Sequence, residues 1–394
     1  MTRLSAPVEQ PLYLDHPAST QPAEEVIDAM LPWLRNGHAN PHADNRHGQR
    51  AAAALEQARA EIAALIGADP SEIVFTSGAT ESNNLALRGF WPARPEKGVL
   101  VISSIEHKSQ LETAKDLATA GLTLRMLATD GQGRIAADEV RAAALGADPT
   151  APILVSCGHA NNEIGTVQDL AALADAVRDI GGRFHVDASQ SLGKLPLDVG
   201  ALGVDLASLS SHKIYGPVGI GALFVAADVR QHMRPLLTGG GQEGGLRSGT
   251  VPVFLAVGFG RAATIAARRH VDDECHLQAV AAAFASQLCE EGVEYHLLNP
   301  AAGGLPGLVS LYLQDIEAPD LLDRLAPHLS ASTGSACSAG ELRASHVLRA
   351  IGLDEDAARR VVRIGFGRSN TVEQARVAAR QIADVVTLMH RDGK

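Results

Sequence analysis

The chain has 394 residues, 34 Lys and Arg against 45 Asp and Glu, and a formal net charge of −11. That length holds two to four domains and exceeds a small binding module; 46% apolar residues suffice for a packed core; and an acidic chain without a basic block is a poor partner for nucleic acid. The opening MTRLSAPVEQPLYLD lacks the apolar stretch of a secretory signal, and no later run reaches the roughly 18–20 apolar residues of a membrane span, so a soluble cytoplasmic protein is expected.

In chain order, Leu55, Ile62 and Leu65-Ile66 fall near helical spacing, with Gly67 as the stop. From about residue 73 to 225, apolar runs at 73–75, 99–103, 122–127, 153–156, 184–186, 206–209 and 220–225 alternate with helical patterns. Strands apolar on both faces belong to a mainly parallel sheet between helices, an α/β fold. Residues 239–245, GGGQEGG, are the most flexible by composition, and an Ala-rich helical pattern runs from Pro252 toward residue 290. The domain change is placed near residue 263. A large domain then spans 16–262, and a smaller α+β domain comprises 1–15 and 263–394, with strands at 308–313 and 361–364 and helices around 319–328, 343–351 and 371–389. No internal repeat is present.

Four scattered cysteines, Cys157, Cys275, Cys289 and Cys337, make no disulfide framework, and no CxxC points to zinc, so no metal site is expected. Asp187 ends an apolar run, and Lys213 follows another before the Gly-Pro-rich segment 214–219. Ligands of open α/β sheets lie beyond such strand ends, so the two could face one pocket. Alone, the aspartate reads as a helix cap and the lysine as a surface charge. A pyridoxal phosphate enzyme needs this pair, a lysine for the Schiff base and a carboxylate to keep the pyridine nitrogen protonated. The segment Thr76-Ser77-Gly78-Ala79-Thr80-Glu81 follows a strand and opens a helical pattern. Its free amides and helix dipole suit an anion, as they equally suit an ordinary capping box. Cys337 sits among small residues, Ser332 to Gly340, with little apolar surface to pack against, whereas the other three cysteines read as core residues.

The strings TSGATESNN, EHKS, HANNEIGTVQ, HVDASQSLGK, SSHKIYGP, GGGQEGGLRSGT and STGSACSAG occur in the order seen in class V aminotransferases. Together they resemble the pyridoxal-phosphate cysteine desulfurases, in the branch with a long cysteine loop, from Tyr13 to about Arg368. The resemblance implies fold type I and pyridoxal 5'-phosphate as cofactor. It makes Lys213 the Schiff-base lysine, Asp187 the pyridinium partner and Gln190 the amide on the ring's phenolic oxygen. His107 would stack on the ring and move protons. Ala79, Thr80, Ser210 and His212 would hold the phosphate together with Thr250 from the other subunit of a homodimer. Asn162 and Arg363 would hold the substrate carboxylate, for which an arginine fork is well shaped.

The implied reaction turns L-cysteine into L-alanine and leaves its sulfur on Cys337 as a persulfide, for delivery to an acceptor protein. The alternatives are a selenocysteine lyase or other pyridoxal-dependent C–S lyase, which needs no loop cysteine, and a catalytically silent sulfur-transfer scaffold. Iron–sulfur cluster assembly, tRNA thiolation, DNA modification and specialised metabolism are all compatible acceptor pathways. Three segments depart from the family pattern: the entry segment from Asn40 to Gly48, with displaced histidines; His16-Pro17-Ala18 after Asp15; and Glu341-Leu342-Arg343, without the usual Glu-Pro.

Overall fold

The computed structural model describes residues 11–91, 98–148, 150–300, 302–333 and 345–392. The chain forms two compact units, one of residues 19–161 and 167–270, the other of the chain up to Ala18, residues 162–166 and the chain from Val271.

The larger unit is built on seven strands: β1 (Ile73–Thr76), β2 (Val99–Ser103), β3 (Thr123–Leu127), β4 (Ile153–Gly158), β5 (Arg183–Asp187), β6 (Leu206–Ser210) and β7 (Gly221–Val225). They lie side by side as β1-β7-β6-β5-β4-β2-β3. The pairs β2–β3, β2–β4, β4–β5 and β5–β6 are parallel, and only β7 runs against its two neighbours. The sheet is therefore mainly parallel, as its apolar runs predict. Successive residues serve two cores: Val99 and Val101 of β2 belong to the buried cluster that also takes in Leu55, Ala58 and Ile62 of the helix Arg46–Ile66, while Leu100 and Ile102 belong to the cluster of Leu85, Leu111 and Ala114 from the helices Ala79–Gly89 and Lys108–Thr119. Gly67 stops the helix Arg46–Ile66 in the left-handed region, φ +68°, where its amide donates to Ala63 O. At the other end of that helix Asn45, in the unusual entry segment, accepts from Gly48 N at 2.9 Å, so this stretch acts as a helix cap.

The smaller unit holds an antiparallel sheet of Val361–Gly365, Leu308–Tyr312 and His296–Leu297, with Leu308–Tyr312 in the middle. Leu12–Tyr13 pairs in parallel with Leu329–Ser330, so the helix expected over 319–328 ends at Leu325. Leu14, Phe284, Leu311, Leu321, Ile364 and Ile382 form its core. Its boundaries differ from the expected ones in three respects: Asn162–Thr166 joins it, His16–Ala18 joins it, and the second junction falls at 270/271 instead of 263. The helix Val253–Glu290 runs through both positions, and its Ala-rich sequence carries no Gly, Pro or cap signal at 263. Among the described residues no helix is long and apolar enough to cross a membrane.

Candidate active site

The carboxyl ends of β1, β6, β5, β4 and β2 share one edge of the larger unit's sheet, because β7 alone is reversed. Most of the residues singled out in this unit sit at or just beyond these ends. Asp187 is the last residue of β5 and Gln190 lies three positions on; Ser210 ends β6, and His212 and Lys213 follow in a turn of helix; His107 follows β2; Ala79 and Thr80 follow β1.

Asp187 is buried and surrounded by donors. Its Oδ2 accepts from Asn83 Nδ2 at 2.8 Å, and its Oδ1 accepts from Ser189 N at 2.9 Å and Ser189 Oγ at 2.5 Å. Asn83 also donates to Ser109 Oγ at 2.9 Å, and Ser109 in turn reaches His107 Nδ1 through its Oγ at 2.8 Å and its amide at 3.1 Å. An Nδ1 that accepts the amide proton leaves the ring's own proton on Nε2, an assignment made from bonding. One asparagine thus links the aspartate to the histidine.

The helix Ala79–Gly89 starts at Gly78, φ +152°, with no side chain capping its first amides. A Cβ on Gly221 would lie 2.7 Å from Gly78 Cα, so β7 and the helix start meet backbone to backbone. Glu81 leaves the anion side: its Oε2 accepts from Ser77 N at 2.7 Å, and its carboxyl pairs with Arg247 at 2.9 Å. Burial pushes Glu81 up, but the Arg247 and Ser77 hydrogen bonds bring it below its ordinary range. Arg247 lies in the glycine-rich segment that carries Thr250, which is exposed.

Ser210 Oγ is buried without a protein partner among the described residues. His212 is braced by Ser19 Oγ, 3.1 Å from its Nδ1, and by Thr20, whose Oγ1 donates to His212 O at 2.9 Å and accepts from Tyr215 N at 2.7 Å. Burial, then Lys213 and Lys194, push His212 down to about 4, so its ring is neutral at pH 7.

In the smaller unit Arg363 is 1% exposed. Its Nη2 donates to Asp15 Oδ1 at 2.6 Å and its Nη1 to the backbone oxygen of Asn162 at 3.0 Å. Asp15 Oδ1 also accepts from Ser332 Oγ at 3.2 Å. The structure thus brings Arg363 and Asn162 together, with a backbone oxygen of Asn162 in the contact.

Cys337 and the segment after it lie outside the described residues. Of the other cysteines, Cys157 is buried, and burial pushes its thiol well above the ordinary value. Cys275 and Cys289 are exposed on the helix Val253–Glu290, which corrects their assignment to the core; the outer face of a long Ala-rich helix tolerates a small thiol.

The family model described as aminotransferase class-V matches residues 12–377. The chain belongs to this family. Cysteine desulfurase IscS of Neisseria meningitidis is 41% identical over 379 residues, which cover 95% of this chain and 92% of that protein. A solved structure of a NifS-like protein superposes with a TM-score of 0.88 at 32% identity, covering 96% of this chain and 100% of the other. SspA in complex with cysteine superposes with a TM-score of 0.79 at 38% identity, over 90% and 99% of the two chains. The fold is accordingly that of the fold type I pyridoxal phosphate enzymes, and pyridoxal phosphate is the cofactor. This chain fits it: the orphaned Ser210 Oγ and the uncapped helix start suit a phosphate, and the donor-rich Asp187 suits a protonated ring nitrogen.

The sequence reading missed Asn83 and Ser109, which link Asp187 to His107 in the larger unit, and Asp15, which holds Arg363 in the smaller one. Asn83 is legible afterwards in TSGATESNN, where it stands one helical turn beyond Thr80, but nothing local distinguishes it from a surface amide.

Proposed function

We propose that the chain is a pyridoxal-phosphate-dependent cysteine desulfurase that converts L-cysteine to L-alanine and places the sulfur on Cys337. The observation that carries this reading is the buried Asp187, hydrogen-bonded by Asn83 and Ser189, on the same sheet edge as Lys213, one strand away. Membership of the class-V family and the similarity to named cysteine desulfurases support it.

When bound, pyridoxal phosphate supplies an electron-withdrawing ring that makes the substrate's Cα proton acidic and weakens its Cβ–S bond. Lys213 tethers the cofactor and then takes the Cα proton at Nζ. Asp187, held in place by Asn83 and Ser189, would keep the proton on the ring nitrogen, and Gln190 would serve the phenolic oxygen. His107, with its proton on Nε2, would pack against the ring and move protons. Ala79, Thr80, Ser210 and His212 hold the phosphate, and Thr250 completes that site in a second copy of the chain, so the active unit is a homodimer. Arg363 and Asn162 hold the substrate carboxylate. The Cys337 thiolate attacks the substrate sulfur: an S–S bond forms, the Cβ–S bond breaks, and its electron pair stays with the carbon skeleton, which takes up a proton to leave as alanine. The persulfide then passes to an acceptor protein in the cytoplasm.

The test uses full-length protein loaded with pyridoxal phosphate. With L-cysteine it should release one alanine for each sulfur gained on Cys337, counted by amino-acid analysis and by peptide mass. Alanine without sulfur on Cys337 would overturn the persulfide route in favour of a C–S lyase.

A further inference from the structure

Behind Asp187, the interior of the larger unit contains a file of polar side chains where apolar ones would pack at less cost. Gln110, Ser156, His185 and Ser208, from the helix Lys108–Thr119 and from β4, β5 and β6, are each 0% exposed. Ser156 Oγ donates to Gln110 Oε1 at 2.7 Å. That uses its one proton, so the 2.8 Å contact between Ser156 Oγ and His185 Nδ1 must run from Nδ1–H to the hydroxyl oxygen. His185 then has a bare Nε2, which accepts from Ser208 Oγ at 3.0 Å. At the far end Gln110 Nε2 spends one proton on Glu106 Oε2 at 2.9 Å, and its other contact is Asp187 Oδ2 at 3.4 Å.

Every link points the same way, from Ser208 through His185, Ser156 and Gln110 to the two carboxyl groups. Reversing the Ser156 hydroxyl or the amide leaves a donor facing a donor, and reversing the Ser208 hydroxyl leaves two acceptors facing each other. The ring environment agrees with this polarity: burial outweighs the pull of Asp187 and brings His185 down to about 4, so the ring stays neutral. Glu106 is pushed up to about 7, first by burial and further by Asp187, against the Gly158 amide and the Ser103 and Gln110 hydrogen bonds.

We propose that this one-way file is a positioning device for Asp187, with Gln110 and His185 as positioning residues that keep a donor aimed at Oδ2. Asn83 and Ser189 hold the carboxylate from the helix and turn sides, and the file holds it from inside the sheet. The inference rests on the assignment of Asp187 to the cofactor's ring nitrogen.

The experiment compares full-length wild type, Gln110→Met, Ser156→Ala and Asp187→Ala, each loaded with pyridoxal phosphate. Three quantities are read: the imidazole tautomer of His185 by nitrogen-15 NMR, the cofactor dissociation constant, and the pH midpoint of the bound cofactor's visible absorption band. Wild-type His185 should carry its proton on Nδ1. Gln110→Met keeps side-chain length without donors. It should weaken cofactor retention about tenfold or more and move the band midpoint in the direction that Asp187→Ala moves it, by a smaller amount. Ser156→Ala removes a single hydroxyl and should shift both in the same sense, which keeps the test open if Gln110→Met fails to fold. An Nε2–H tautomer, or wild-type retention and midpoint in the folded file variants while Asp187→Ala changes both, would overturn the proposal. Wild-type behaviour of Asp187→Ala itself would instead remove the underlying assignment of Asp187.

Discussion

Arg363 Nη2 donates to Asp15 Oδ1 at 2.6 Å, so the guanidinium proposed to receive a substrate carboxylate is already held by a carboxylate of its own chain. The pair is almost fully enclosed on the arginine side, and Arg363 Nη1 also donates to the Asn162 backbone. Removing one partner of such a pair leaves an uncompensated buried charge. Asp15→Ala is therefore expected to lower unfolding free energy by about 3–5 kcal/mol, measured by urea unfolding. Arg363→Lys keeps charge but loses the planar fork, and should raise the KM for cysteine roughly 10- to 100-fold with a smaller change in kcat. An unchanged KM in Arg363→Lys would remove Arg363 from the substrate site.

Lys213→Ala should abolish turnover, because the covalent tether and the Cα base are lost together. The purified variant should lack the visible absorption of lysine-bound cofactor, and alanine formation from cysteine should fall to background. Retained turnover would refute the assignment.

Cys337→Ser should bind cofactor and substrate as wild type does, yet form no persulfide and sustain no alanine release from cysteine. A serine hydroxyl stays protonated near neutral pH and is a far weaker nucleophile toward sulfur. Selenocysteine provides the control, since selenium can leave without attack by an enzyme thiol. Undiminished cysteine turnover in the variant would favour the lyase alternative.

The buried ionisable groups make stability depend on pH with opposing signs. His159, His185 and His212 are each brought down to about 4, chiefly by burial, from an ordinary 6.5. Between those values the unfolded chain binds protons the folded chain refuses, so their contribution is complete above pH 6.5 and is lost as pH falls through 4. Glu106, raised from 4.5 to about 7, contributes in the other sense: fully below 4.5, and lost as pH rises through 7. Three groups against one predict a net loss of stability on acidification from 6.5 toward 4.5. Glu106→Gln should steepen that acid limb and flatten the decline around neutrality, read by urea unfolding of cofactor-free protein at several pH values. Superimposable profiles for the two proteins would contradict the buried, elevated Glu106.

Most strands were legible because they are enclosed on both faces, so burial writes itself as an apolar run; β2, β6 and β7 are buried at every position, whereas the edge strand β3 is largely exposed. The ordered motifs then located Asp187, Lys213, His107 and Ser210 at strand ends. Other features depend on contacts remote in sequence and leave no local trace. The Asp15–Arg363 pair joins positions at opposite ends of the chain. Gln110 occupies a helix position that reads as a surface amide, and His185 in FHVD looks like an interruption of the apolar run, although both are fully buried. Asn162–Thr166 joins the smaller unit through bonds such as Leu305 N to Gly165 O at 2.8 Å and Asn299 Nδ2 to Ile164 O at 3.2 Å, which no period in the chain announces.

The backbone meeting of Gly78 and Gly221 bears on how the chain acquires its cofactor. Because strand β7 abuts the first residue before the helix Ala79–Gly89 with no side chain between them, the orientation of the first helical amides is set by the sheet itself. The ordering entropy of an anion cradle, which a flexible loop would have to surrender at the moment of capture, is surrendered here during folding. In the proposed assignment of Ala79 and Thr80 to a phosphate group, such a cradle would hold the anion without first having to order a loop.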